Sequence, residues 1–304
     1  MTYHILYNPL AGTNDTAKGR FEATLRDAGH EVTAHDVTTL TDYPSFFAAL
    51  DPTDLVVICG GDGTLNRFIN DTEGMDIQND VLYVPGGSGN DFLRDVEKTD
   101  ADVPFSIKPH LQNLPFVEVN GKRLRFLNNV GFGIDGYCCE VGDAEKAAQT
   151  AENAKPVNYT AIAIKGLLFH YKPTTATVTV DGVEHTYERV WLAPTMKGRF
   201  YGGGMIPTPA QDRMDKDETL SIMLFHGSGK LKTLAIFPSI FKGEHIKHEK
   251  VVAVHTGHDI RVVFDAPRTV QIDGETVTGV TEYHAYAAKL APQPAATQAA
   301  EAYV

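Results

Sequence analysis

The stretch Asp54–Asn70, DLVVICGGDGTLNRFIN, decides how the chain is to be read. Leu55 to Cys59 is an apolar run without polar alternation, the pattern of a strand covered on both faces of a parallel sheet. It ends in Gly60, Gly61, Asp62, Gly63 and Thr64, and a helical segment, Leu65 to Asn70, follows. A plain turn needs one or two such residues. Five in succession point to a backbone that comes close to something bound. Glycine leaves no Cβ in the way and lets amide N–H groups face an anion, and the positive end of the next helix favours phosphate. Asp62 is out of place beside phosphate unless a divalent cation stands between them. A strand-to-helix turn capped by Asp62 or Thr64 would also account for the loop.

The same grammar extends on both sides. Tyr3 to Tyr7 reads as a strand ending in Asn8-Pro9 and Gly12. Lys18 to Ala28 places Phe21, Leu25 and Ala28 on one helical face and stops at Gly29. A strand near Glu31 to His35 and a helical stretch from Ser45 to Leu50 lead into the opening segment. Beyond it, the strand Val81 to Val84 runs into a second glycine-rich loop, VPGGSGNDFLRD, Val84 to Asp95. Two such loops after parallel strands lie side by side at the carboxyl edge of the sheet, where open α/β folds bind ligands. Asn8 and Gly12 border the same crevice.

From Phe116 the rhythm changes. Strand-like segments flank Asn120-Gly121, Asp181-Gly182 and Asp273-Gly274, each a hairpin signal. Helical segments are expected at Asp143 to Ala154 and Asn158 to His170. The fold class is therefore α/β in two domains. Residues 1–115 form an N-terminal doubly wound nucleotide-binding α/β domain, and residues 116–280 a C-terminal β-rich, antiparallel sandwich-like domain. The Ala/Pro/Gln-rich residues 291–304 are expected to be a disordered tail.

With 304 residues, 42% hydrophobic and 22% charged, the composition is that of a globular chain with a core. The formal net charge of -12 argues against nucleic acid as a partner. Cys59, Cys138 and Cys139 have the wrong number and spacing for a disulfide framework or a zinc site. No signal-like leader opens the chain, and the apolar stretch Ala161 to Phe169 is short and broken by Lys165, so a cytoplasmic protein is expected. His245/His248 and His255/His258 repeat a ligand-like spacing, but no Cys or Glu completes either pair. IFPSIFKGEHIKHEK, Ile236 to Lys250, combines apolar residues with lysines. It reads more readily as an inward-packing helix with a basic end than as a membrane-surface segment.

Gly60-Gly61-Asp62-Gly63-Thr64-Leu65-Asn66 followed by Pro85-Gly86-Gly87-Ser88-Gly89-Asn90-Asp91-Phe92 resembles the catalytic domain of diacylglycerol and sphingosine kinases. The likeness is greatest to bacterial diacylglycerol kinases and YegS-like lipid kinases. It continues through Asn128-Asn129-Val130-Gly131-Phe132-Gly133-Ile134-Asp135, Gly202-Gly203-Gly204-Met205 and Ile272-Asp273-Gly274-Glu275. The pattern departs from the family at Ala11, where Ser is usual, and at Arg67, where an acid is usual.

The resemblance implies an ATP- and Mg²⁺-dependent lipid kinase of phospholipid metabolism with catalysis between two domains. It implies that Asn8, Gly12, Thr38, Gly60, Gly61, Asp62, Gly63, Thr64, Asn66, Ser88, Asn90 and Asp91 hold the nucleotide. Asp62 would act through Mg²⁺, and Asp273 would be the general base on the lipid hydroxyl, with Glu275 nearby. In QDRMDKDETL, Asp212, Asp215 and the backbone of Asp217 would bind a second, structural Mg²⁺. The strand near 281–290 would pack back on the first domain. The substrate would be diacylglycerol or a related lipid, met at the inner membrane surface by a peripheral protein. An edge strand leaves room for a homodimer. A NAD kinase-like small-molecule kinase and a non-catalytic nucleotide- or lipid-binding relative are the alternatives.

Overall fold

The computed structural model describes residues 1–9, 14–87, 89–98, 103–149 and 157–291. Ala11, Gly12, Ser88 and the tail from residue 292 lie outside the described residues. The first part alternates strands and helices: β1 (Thr2–Tyr7), α1 (Asn14–Asp27), β2 (Glu31–Asp36), α2 (Tyr43–Ala48), β3 (Leu55–Gly60), α3 (Asp62–Asp71), β4 (Asp80–Pro85), α4 (Asp91–Asp95) and β5 (Phe105–Ser106). The strands form one sheet in the order β2-β1-β3-β4-β5, parallel except for β5. The unbroken apolar run of β3 now has its reason. Val57 and Cys59 face a layer with Ile5, Phe21 and Leu25, while Val56 and Ile58 face a layer with Leu65, Phe68 and Phe92. With both faces covered, neither side of the strand tolerates polar alternation.

The second part is β6 (Phe116–Val119), β7 (Lys122–Arg125), β8 (Asn129–Gly133), α5 (Ile134–Ala147), α6 (Tyr159–Lys165), β9 (Thr174–Val180), β10 (Val183–Val190), β11 (Leu192–Met196), β12 (Leu220–Phe225), α7 (Lys230–Ile236), β13 (Val252–Gly257), β14 (Asp259–Ile272) and β15 (Glu275–Tyr286). Its main path runs β13-β12-β11-β8-β14-β15-β6-β7, with β9 pairing β14 and β10. Val130, Phe132, Val178, Leu224, Val262 and Tyr283 meet in its interior. A separate layer of α5, α6 and α7 covers Leu192, Met223 and Phe225 through Ile134, Ile162 and Ile236.

The three Asx-Gly pairs close β6–β7, β9–β10 and β14–β15 as two-residue turns, with φ of 49° and 74°, 47° and 83°, and 49° and 96°. Both central residues are left-handed in each, as hairpin turns matching the twist of the strands require.

Two expectations are corrected. The helix expected to begin at Asp143 begins at Ile134, immediately after β8. Gly133, at φ 136°, turns the strand into the helix against the Trp191 and Leu192 backbone, and Ile134 and Cys138 are buried in that layer. The strand near 281–290, expected against the first domain, is the far half of β15. It stays in the second sheet between β14 and β6, because Tyr283 and Ala285 belong to that domain's interior.

Leu127 ties the two parts together: it follows β7, yet it is fully buried in the first domain's core beside Leu114 and Phe92. Leu127→Ala is expected to lower unfolding stability by about 2–5 kcal/mol, read from urea denaturation.

Candidate active site

The glycine loops touch each other. A Cβ on Gly61 would stand 2.9 Å from the Cα of Gly87, and one on Gly87 would stand 2.6 Å from the Cα of Gly61. Gly86 N–H donates to the Gly60 carbonyl at 2.8 Å, and the buried Tyr83 hydroxyl donates to the same carbonyl at 2.9 Å. The glycines are thus required first by loop-on-loop packing, which leaves a surface of bare backbone. Asp62, the first residue of α3, accepts the N–H groups of Asp91 and Phe92 at 3.0 and 2.9 Å, so it caps α4 from the neighbouring loop. Asn90 sits at φ 49° and donates through Nδ2 to the Gly87 carbonyl, fixing the second loop. Thr64 and Asn66 are buried in α3.

The second domain closes onto this loop through one carboxylate. Asp273, a left-handed residue of the β14–β15 turn, accepts N–H groups from Leu127 (2.5 Å), Asn128 (2.7 Å) and Asn129 (2.9 Å). A fourth bond comes from Asn66 Nδ2, at 2.7 Å, in the first domain. Burial pushes the Asp273 carboxyl up, against these donors, which pull it down. Asn128 extends the seam: its Nδ2 donates to Asp62 at 3.2 Å, and its Oδ1 accepts from Arg213 at 2.6 Å. Arg213, buried, also donates to the Leu127 carbonyl (2.6 Å) and pairs with buried Asp95 on α4 (2.7 Å). Arg199 reaches Asp95 as well, at 3.0 Å.

Further carboxylates gather near the seam. Glu275 approaches the first loop: a Cβ on Gly63 would lie 3.6 Å from its Oε1. Asp91 accepts from Gly203 N–H at 2.8 Å and pairs with Arg94 at 3.2 Å. Burial, reinforced by the charge of Asp62, pushes the Asp91 carboxyl up to about 6. Asp135 is buried and accepts from Gln271 Nε2 on Oδ2 at 3.3 Å, while Oδ1 has no hydrogen-bond partner among the described residues. Burial pushes its carboxyl up to about 6 too. The buried Tyr201 hydroxyl, within the field of both Asp135 and Asp91, likewise has no hydrogen-bond partner among the described residues. Such orphaned atoms call for water or a ligand group.

A bare-backbone cradle on an α/β sheet edge, faced by acids from a β-rich domain, agrees with the comparison to known proteins. Residues 2–113 match the diacylglycerol kinase catalytic domain, and residues 128–294 match the YegS C-terminal NAD kinase beta sandwich-like domain. The chain belongs to the diacylglycerol kinase family and is a lipid kinase. It is 26% identical over 260 residues to a diacylglycerol kinase of Mycobacterium tuberculosis, covering 81% of this chain and 80% of that protein. It is 23% identical over 282 residues to a diacylglycerol kinase of Bacillus subtilis, covering 89% and 88%. A solved structure of a diacylglycerol kinase from Bacillus anthracis str. Sterne shares its fold, with a TM-score of 0.58 and 19% identity over 94% of this chain and 93% of that one.

The remaining sequence-derived residues of the kinase fall as follows. Asn8 and Thr38 follow β1 and β2 at the carboxyl edge, and Thr38 donates through both N–H and hydroxyl to Asp36 Oδ1. Asp212, Asp215 and Asp217 lie in the turns that lead into β12. Asp212 accepts from Met214 N–H, Asp215 from Asp217 N–H, Thr219 N–H and the Thr219 hydroxyl, and the Asp217 carbonyl takes the Lys289 ammonium. The Asp212 and Asp215 carboxylates thus close their own turns. Among the described residues no group of three or more His, Cys, Asp or Glu is arranged to hold a metal. Of the histidine pairs, buried His245 bonds the Pro207 carbonyl and His255 stacks on His185 with centroids 4.2 Å apart. A cavity of about 480 Å³ is lined by Asp95, Arg199 and Arg213.

Arg213, Asp95, Asn128 and Asp135 were not singled out as site residues in the sequence. Arg213 stands in the acidic run QDRMDKDETL, where the acids draw the eye; a lone arginine there was the available signal.

Gly61→Ala is expected to separate the loops and weaken nucleotide binding by at least about tenfold, measured by calorimetry. A pH dependence follows from Asp135. Its folded-state value, about 6, lies above its ordinary 3.8, so its contribution is fully present below 3.8 and is lost as pH rises through 6. At about 1.4 kcal/mol per unit, wild type should lose on the order of 3 kcal/mol relative to Asp135→Asn between pH 3.5 and 7, read from urea midpoints.

Proposed function

We propose that this kinase transfers the γ-phosphoryl group of ATP, with Mg²⁺, to the hydroxyl of diacylglycerol or a closely related lipid at a membrane surface. The observation that carries the reading is the seam itself. The loop that bares its backbone, Gly60 to Thr64, starts the helix whose Asn66 grips Asp273 from the other domain. Phosphoryl transfer asks a protein mainly for positioning and for compensation of phosphate charge.

The residues present fit both groups. Gly61 and Gly87 leave a cradle that a Cβ would fill, and Asp62 with Asp91 offers two neighbouring carboxylates whose repulsion a divalent cation would relieve. Mg²⁺, when bound, supplies charge neutralisation at the phosphates. Asp62 and Asp91 would hold it, and the backbone of residues 60–64 and 86–91 would hold the nucleotide.

Asp273 orients the acceptor hydroxyl and accepts its proton late in the transfer. Burial raises its proton affinity towards the range useful for a base. Its oxygens already take four donors, so the substrate hydroxyl must displace one of them. Asn66 is the side-chain donor among the four, and it can give way without unpairing a backbone amide. Glu275, beside Gly63, adds negative charge on the acceptor side and orients that end of the cleft.

Labelled ATP offered with diacylglycerol, monoacylglycerol, sphingosine, polyprenol and NAD tests the reading. Label is expected on diacylglycerol, and Asp273→Asn should lower transfer by about 10²–10⁴-fold while nucleotide binding persists. The Asn amide would also meet the three backbone N–H groups of residues 127–129, so its melting temperature should fall below wild type. Asn66→Ala, which spares those amides, separates the two effects. Label on NAD alone would overturn the lipid reading.

A further inference from the structure

Two segments meet on one face of the helical layer, residues 157–174 and 226–243. Lys230 Nζ donates to the Leu168 carbonyl at 2.7 Å, and α7 packs against the helical turn Gly166–His170 that continues α6. Each segment sends a large apolar side chain into solvent. Phe169 is 73% exposed and Leu231 78%, the two highest values among the large hydrophobic residues described, and Ile164 and Tyr159 on α6 are exposed as well.

This exposure is built in. Residues 166–170 form a π turn closed by Tyr171 N–H on the Gly166 carbonyl at 2.8 Å, and the wider turn keeps Leu167 buried while Phe169 stands outside. Gly166 seats the turn against the Tyr137 ring, where a Cβ would come within 2.7 Å. Turns of this kind inside helices recur at functional sites.

The charge is equally one-sided. Neither segment contains Asp or Glu, although the whole chain carries a net charge of -12. They hold Lys165, Lys172, Lys230, Lys232 and Lys242. On the neighbouring α5, Asp143 is paired with Lys146, whose ammonium lies over the Tyr159 ring, and beyond the second segment Glu244 is paired with Lys247. Exposed apolar side chains on segments whose charged residues are all lysines match an anionic leaflet: the rings and alkyl groups enter the headgroup boundary while ammonium groups meet lipid phosphates.

We infer that this face, led by Phe169 and Leu231, docks the kinase on an anionic bilayer. In the run Ile236 to Lys250, which overlaps the second segment, Ile236 and Ile240 are buried beneath the face while Phe241 and Ile246 are exposed. The inference rests on the proposed lipid acceptor and adds to it how the enzyme reaches a substrate that does not leave the membrane.

Co-sedimentation of the full chain with vesicles tests it. Vesicles of phosphatidylcholine mixed with an equal share of phosphatidylglycerol should carry the protein down, and phosphatidylcholine alone should not. Combined Phe169→Ser and Leu231→Ser should weaken this binding by at least about tenfold. Lys232→Gln should weaken it about fivefold at low salt. Phosphorylation of a short-chain, monomeric diacylglycerol by these variants should stay within about twofold of wild type, as expected for surface changes outside the cleft. Failure of wild type to bind the anionic vesicles, or unchanged binding by the double variant, overturns the inference. So does a dimer in solution that depends on Phe169 and Leu231 and excludes vesicles. Double-variant loss of binding in an enzyme that never labels monomeric diacylglycerol would support the docking face and overturn the acceptor reading.

Discussion

The carboxylate of Asp273 is the constraint on which the molecule turns. Four N–H groups point at it: three successive backbone amides where the chain crosses between domains, and the Asn66 side chain from the other side of the cleft. Successive amides at residues 127–129 cannot all be served by a sheet ladder, because the chain there is leaving one core for another. A buried acceptor with two oxygens satisfies them together, and removing it would strand buried donors at about 1–3 kcal/mol each. The same residue must be left-handed to close the β14–β15 turn, so one side chain settles a hairpin, a crossing segment and the approach of two domains.

Around that point the seam is held by side chains that each have two jobs. Asn128 must donate to Asp62 and accept from Arg213, and only an amide side chain offers both at that length. Arg213 uses its planar fork on Asp95, the Leu127 carbonyl and Asn128, so its buried charge is paired and its donors are occupied. Asp62 caps α4 while taking the Asn128 bond. The two glycine loops, the crossing segment and the acidic loop therefore share one polar network, and a disturbance at any member reaches the cradle.

Most strands and turns of both domains were legible because their signals are local. The unbroken run of β3, the helix stop at Gly29 and the three Asx-Gly turns depend on backbone preference and on burial of neighbouring residues. The start of α5 was not legible, since Gly131, Gly133 and Gly136 blur the apolar periodicity and Gly133 bends only against a distant strand. The cation site in the acidic run 212–217 was implied by the resemblance; folded, Asp212 and Asp215 also close their own turns and the Asp217 carbonyl meets Lys289. The opening loop changed meaning in the same way. Its glycines answer first to Gly87 and its acid first to the amides of α4, and the cradle is what that packing leaves exposed.

By itself the sequence determined the element types, the two glycine loops at the sheet edge and the identity of the acids near the cleft, because each is written in a few adjacent residues. Only the tertiary structure decided what those acids face. Asn66 and Asp273 stand 207 residues apart, and no local preference connects them. Their bond exists because Leu127 is drawn into the first domain's core and carries its amides to the carboxylate, and burial then raises that carboxyl's proton affinity. Hydrophobic burial of a single crossing residue thus set the electrostatics of the site, a quantity that depends on distance through space and not along the chain.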